Sequence, residues 1–264
     1  MIIDLDKVWP TNRRGIAKIR IGFLNDSYYD SDQEDRVREV AQQWEDECEN
    51  ISLVWANRPK KKFENRDVRI SFKPSSGGQW VSKVGTDATE VKDQSERTMT
   101  LEWTDNKQKM RRHILHEFGH MLGAEHEQFS PDFPWEFKYQ AVVDHFREEV
   151  QSENDKRPAP KQWTAAKVKE KGASRAYQDM LKRLVQTNLE YSRFDESSIM
   201  LYTIERDWLK DNSWAGGPAP QSIKESHHLS YLDIRTMNKV YDGTRNDDSE
   251  SFSSSDSEYS TDDY

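Results

Sequence analysis

The chain has a single cysteine, Cys48, among 264 residues, so no disulfide can form within it. A zinc site here would have to be built from histidine and carboxylate, and a reducing compartment fits. Nowhere is there an apolar run of membrane-spanning length. The opening "MIIDLDKVWPTNRRG" has early acids and no apolar stretch of secretory type, so it does not read as a signal peptide. Both a cytoplasmic location and secretion by another route fit that opening. Charge of one sign is also scarce outside the end of the chain. The formal net charge is −9, but Asp242 to Tyr264 hold eight acids and one arginine, leaving about −2 for the body. No basic face is offered to nucleic acid. There is no internal repeat.

What is present is a globular composition, 34% hydrophobic and 11% aromatic, enough for one catalytic domain in two lobes. "GIAKIRIGFL" alternates apolar and polar residues and reads as the first strand. From Asp32 to Glu49, Val37, Val40, Ala41, Trp44 and Cys48 fall at helical spacing, which predicts a long amphipathic helix. "ISLVWA", "DVRISF" and "TMTLEW" read as further strands, separated by loop-like "NRPKKK" and "KPSSGGQWVSKVGTDA". A second helix begins near Asn106, capped by Thr104 or Asp105, and stops at Gly123. Beyond Pro131 the composition turns polar, with helical patches at "FKYQAVVDHFREEV" and "ASRAYQDMLKRLVQTNL". "LSYLDIRTMNKVY" is expected to form a last helix, with Ser230 and Asp233 as its capping pair. Residues 243–264 are acidic and Ser-rich and are expected to be a disordered tail.

The chemistry concentrates in "HILHEFGHMLGAEHEQ". His116 and His120 are four apart, so on a helix both imidazoles leave one face. Gly123 accepts a left-handed turn cheaply and lets the chain bring His126 to the same point. Three imidazoles with an open fourth position suit one catalytic Zn²⁺. Glu117 follows the first ligand directly, too near to ligate and well placed as a general base. The competing reading is a polar helix face with chance histidines. His113 and Glu125 are expected to lie at the surface, and Trp80, beside Gly77 and Gly78, to face the cleft or the core with equal weight. Trp44, Trp55 and Trp103 belong to the core.

This stretch resembles the extended zinc motif HExxHxxGxxH of the metzincin metallopeptidases, matched by His116, Glu117, His120, Gly123 and His126. Glu127 resembles the astacin branch. Downstream, "SSIMLY" is similar to the astacin Met-turn, with Met200 beneath the metal and Tyr202 beside it. Weaker similarity to fungal and bacterial astacin-like domains spans about residues 9–242. The resemblance implies an α+β metzincin fold: a twisted mixed sheet and two long helices (about 9–126) above a smaller, irregular helical lobe (about 127–242). It implies a monomeric zinc metalloendopeptidase that hydrolyses protein or peptide substrates by zinc-bound water. His116, His120 and His126 would hold one Zn²⁺, Glu117 would act as general base, and Tyr202 would support the oxyanion. It also implies that the substrate adds as a strand to a sheet edge at "TMTLEW" or the preceding loop. Leu201 and Ala124 depart from the family pattern. In astacins the residue equivalent to Glu127 can bind a buried N-terminus; with Met1 first, Glu127 is expected to have lost that partner. The alternative function is a noncatalytic zinc-dependent peptide-binding protein on the same scaffold.

Overall fold

A computed structural model describes residues 1–56, 65–74, 80–184, 188–213 and 220–242, with Asn212 and Ser213 by backbone alone. The tail, "NRPKKK" and the loop glycines Gly77 and Gly78 lie outside the described residues.

An unexpected short strand, β1 (Ile2–Asp4), precedes the first one read from the sequence. Strand β2 (Ala17–Phe23) buries Ala17, Ile19 and Ile21 while Lys18 and Arg20 face solvent, as the alternation requires. Helix α1 (Ser31–Glu47) begins where Asp30 accepts the backbone N–H groups of Asp32 and Gln33, both at 2.9 Å. It buries Val37, Val40, Ala41 and Trp44, and Trp44 Nε1 donates to the Leu115 carbonyl at 3.1 Å. Strands β3 (Ile51–Trp55) and β4 (Val68–Ser71) run parallel to β2 on either side. Two two-residue strands complete the sheet, β5 (Val81–Ser82) and β6 (Met99–Thr100), in the order β3-β2-β4-β6-β5. Only β5 is antiparallel to its neighbour. The edges are therefore β3 and β5, so of the two places expected for an edge strand Val81–Ser82 in the preceding loop is one, while "TMTLEW" contributes an interior strand.

Helix α2 (Lys107–Met121) is capped by Asn106, whose side chain accepts the Lys109 N–H at 3.0 Å, one or two residues later than expected. Its apolar face packs on the sheet through Ile114, Leu115 and Phe118. Burying each such side chain contributes roughly 1.5–3 kcal/mol. The opposite face, carrying His113, His116, Glu117 and His120, is buried too. Strand β7 (Ala124–Glu125) then joins β1.

The chain continues through β8 (Trp135–Phe137), α3 (Tyr139–Asp155) and α4 (Ala165–Ala176). Thr164 caps α4, which begins eight residues before the helical patch read from the sequence, and the helix passes into a wide π-helical turn, Tyr177–Leu181. Leu189, placed in that patch, instead opens β9 (Leu189–Tyr191), the strand on the other side of β1. Strands β10 (Ile204–Glu205), β11 (Leu209–Ser213) and β12 (Ser222–Ile223) form two small antiparallel pairs, β10 with β12 and β11 with β8. Helix α5 (Tyr231–Tyr241) has the expected capping box between Ser230 and Asp233. Among the described residues no helix is long and apolar enough to cross a membrane.

Candidate metal centre and cleft

One turn of α2 separates His116 from His120, whose ring centroids are 4.8 Å apart. The helix ends at Leu122, and Gly123 takes φ +99°, a conformation open to glycine and strained for other residues. The turn is held by the Gly123 N–H on the His120 carbonyl at 2.8 Å and by the Asp4 N–H on the Gly123 carbonyl at 3.0 Å. It delivers His126 to the cleft with Nε2 3.0 Å from His120 Nε2. The three ligand-capable nitrogens of His116, His120 and His126 all lie within 4.8 Å of one another. Four tetrahedral ligands at about 2.0–2.1 Å from zinc stand roughly 3.3 Å apart, so the cluster fits one ion.

The outer nitrogens point to the same fit. His116 Nδ1–H donates to the Ile199 carbonyl at 2.9 Å and His120 Nδ1–H to the Ala124 carbonyl at 2.8 Å. Those bonds place the free lone pairs on Nε2. His116 Nε2 is buried with no hydrogen-bond partner among the described residues. Burial lowers all three pKa values, His120 to about 4 and the other two well below the ordinary range, so the nitrogens are neutral and available.

Glu117 projects from the same helix beside these rings. It is 2% exposed, and its Oε2 lacks a hydrogen-bond partner among the described residues. Burial pushes its carboxyl up to about 8, against the pull of Arg112 and a hydrogen bond from the Ser82 backbone N–H. A cation held by the histidines would draw it down again. Tyr202 packs its ring 4.4 Å from His126 and 5.2 Å from His116. Burial first, and the Glu117 charge next, raise its phenol far above the usual range, so it remains a donor. Met200 is fully buried under α2, where a Cβ on Gly119 would meet its Sδ at 2.4 Å. Asp233 anchors that turn by accepting Ser198 Oγ at 2.6 Å and the Ile199 N–H at 2.8 Å.

No protein-family model matches the chain, and no curated protein does. Solved structures do. One structure of myroilysin superposes with a TM-score of 0.66 at 23% identity, covering 93% of this chain and 100% of that one. A crystal structure of myroilysin gives 0.54 at 24% identity over 89% and 86%. High choriolytic enzyme 1, a hatching enzyme zinc-protease from Oryzias latipes (medaka fish), gives 0.53 at 16% identity over 90% and 95%. The chain has the astacin-like metzincin fold.

Within that fold several residues depart from their sequence reading. Glu127 has a partner: the Met1 ammonium lies 2.9 Å from its Oε2, both groups fully buried. The ammonium also donates to Ser192 Oγ at 2.7 Å, and the Asp195 N–H donates to Glu127 Oε1 at 2.9 Å. Burial raises the Glu127 carboxyl to about 7, with the ammonium pulling against it. Glu125 is buried rather than superficial, between Lys7 at 4.0 Å and Lys182 at 3.9 Å. His113 is buried as well. Its ring stacks on Trp80 at 3.6 Å, and both line the cleft. Trp80 therefore takes the cleft position of its two expected ones.

The cleft, about 470 Å³, also includes groups the sequence did not single out. Arg112, 1% exposed, donates to the Leu201 carbonyl at 3.0 Å and faces Glu225 at 3.1 Å. A signal existed for it, since Arg112 precedes His116 by four residues and so shares its helix face. Asp179 and Lys182 reach the cleft from the turn that follows α4, more than fifty residues from the histidines, and no local pattern marks them.

Proposed function

We propose that the chain is a zinc-dependent metalloendopeptidase acting on protein or peptide substrates. The observation that carries this reading is the convergence of three neutral imidazole nitrogens beside the buried carboxyl of Glu117, whose Oε2 has no hydrogen-bond partner among the described residues, in an open cleft. Its likeness in fold to myroilysin and to a hatching enzyme zinc-protease supports it. His116, His120 and His126 would hold one Zn²⁺. Bound there, the ion supplies a Lewis acid that polarises a carbonyl and acidifies a water.

The remaining chemistry falls to the chain's own side chains. Glu117 takes the proton from the attacking water and returns it to the leaving amine. Tyr202, held protonated, donates to the developing oxyanion. The outer edge of β5, at Val81 and Ser82, offers the substrate a strand to pair with. Trp80 and His113 wall the same side. Met200 keeps the floor beneath the rings.

Zinc-loaded protein is expected to cleave a denatured protein substrate, to stop when a chelator is added, and to resume with zinc. Glu117→Ala should lower kcat by about 10²–10⁴-fold with metal content retained. Turnover that survives both chelation and Glu117→Ala would overturn the reading. A tight peptide complex with no turnover would favour a binding protein instead.

A further inference from the structure

Most charges lining the cleft have a counter-charge at hand. Arg112 faces Glu225 at 3.1 Å. Lys182 faces Glu125 at 3.9 Å. Glu117 belongs to the proposed chemistry. Asp179 stands apart: its backbone carbonyl accepts Gln128 Nε2 at 2.6 Å, but among the described residues no donor is hydrogen-bonded to its carboxylate. Arg175, the cation that stabilises its charge, is itself bonded to Glu153 at 2.7 and 3.3 Å.

The local backbone explains where this carboxylate sits. After α4 the chain widens into the π turn, closed by the Lys182 N–H on the Tyr177 carbonyl at 2.8 Å, five residues back. Single π turns of this kind recur at functional sites. Here the turn sets Gln178 and Asp179 in the wall shared by the metal cleft and an adjoining polar pocket of about 210 Å³. The field of Asp179 reaches the Tyr202 phenol. Burial pushes its own carboxyl up to about 6, with Arg175 pulling against it and the Glu149 charge adding to it.

Building on the peptidase reading above, we propose that Asp179 is a specificity-determining residue, selecting peptides that carry lysine or arginine beside the bond that is cut. An incoming ammonium or guanidinium supplies the direct hydrogen-bonded counter-charge that Arg175, committed to Glu153, does not. A neutral side chain leaves the carboxylate as it was, and an acidic one adds repulsion. Lys182 does not oppose this selection, because Glu125 already faces it.

The test compares fluorogenic peptides that differ only in lysine, norleucine or glutamate at each position flanking the scissile bond. For zinc-loaded wild type, the lysine-to-norleucine ratio of kcat/KM should be about tenfold at one flanking position. In Asp179→Asn that ratio should fall to within about twofold of one, and in Asp179→Lys the glutamate peptide should lead. Binding of the same labelled peptides to zinc-loaded Glu117→Gln, with and without Asp179→Asn, reads the preference without turnover. Equal cleavage and equal binding of lysine and norleucine peptides would overturn the proposal and leave the peptidase reading standing. A lysine preference that persists in Asp179→Asn would overturn it equally. No cleavage by wild type, with Asp179-dependent binding of the lysine peptide, would instead remove the peptidase reading and keep the selection.

Discussion

Gly123 carries the heaviest local demand in the cleft, because a backbone at φ +99° stands between the second and third histidines. The space around it is adequate: an added Cβ would lie 3.4 Å from Val8 Cγ1 and 3.5 Å from Ile3 Cγ2. Gly123→Ala therefore acts through conformational strain. It should cost about 1–2 kcal/mol. Part of that cost should appear as displacement of His126, weakening zinc binding by about tenfold or more. Competition with a chromophoric chelator, beside a urea unfolding curve, checks both halves. Asp179 supplies the pH dependence. Its carboxyl is raised from an ordinary 3.8 to about 6, so between those values the folded chain keeps a proton that the unfolded chain has released. The penalty is absent below about pH 3.8, grows as pH rises, and is complete above about pH 6. In chelator, Asp179→Asn should be more stable than wild type by about 1–2 kcal/mol at pH 7.5, the gap closing near pH 4. Urea midpoints at the two values decide it; a gap of equal size at both would contradict the assignment.

Between elements, the turn at Ser198–Met200 depends on α5 more than on its own residues. Asp233, fully buried at the first turn of α5, accepts Ser198 Oγ, the Ile199 N–H and the Ser230 N–H at 2.6, 2.8 and 3.0 Å. Ile199 in turn accepts from His116 Nδ1, so one carboxylate orients both a capping box and a metal-facing ring. Asp233→Asn turns an amide donor toward those donors. The expected cost is about 2–4 kcal/mol, with weaker zinc binding, read by denaturation and metal titration. The periodic elements were legible because their signal is local: β2 alternates, α1 and α2 repeat their apolar residues every three to four positions, and Ser230 lies three before Asp233. The start of α4 was missed. After its first turn, Ala165–Val168, the run Lys169–Gly172 is charged and ends in glycine, so the apolar pattern that follows the Thr164 cap breaks before Ala173. β5 and β6 are two residues each, too short for any period to show, which is why the edge strand could be narrowed only to a neighbourhood.

Across the molecule, the site joins parts of the chain that are remote in sequence. The first residues, Met1 to Asp4, run between β7 and β9 and end on Glu127. The histidine cluster, the first strand and the turn at Met200 therefore share one support, since the Glu127 N–H also donates to the Met200 carbonyl at 3.1 Å. Stripping zinc from saturated protein should lower stability by about 3–4 kcal/mol and the thermal midpoint by roughly 10 °C. Calorimetry with and without chelator checks this, and an unchanged midpoint would show that the triad holds no metal in solution. The sequence by itself determined the metal-facing set, because His116, His120, Gly123 and His126 meet through one helical turn and one glycine bend, geometry that needs only a few bonds of backbone. Tertiary structure alone decided the rest. Burial made His113 and Glu125 cleft residues rather than surface ones, and long-range packing brought Met1 to Glu127 and the turn after α4, with Asp179, to the cleft. Desolvation and distant charge pairs depend on what surrounds a residue in space, and a one-dimensional pattern carries that only where neighbours in space are also neighbours in sequence.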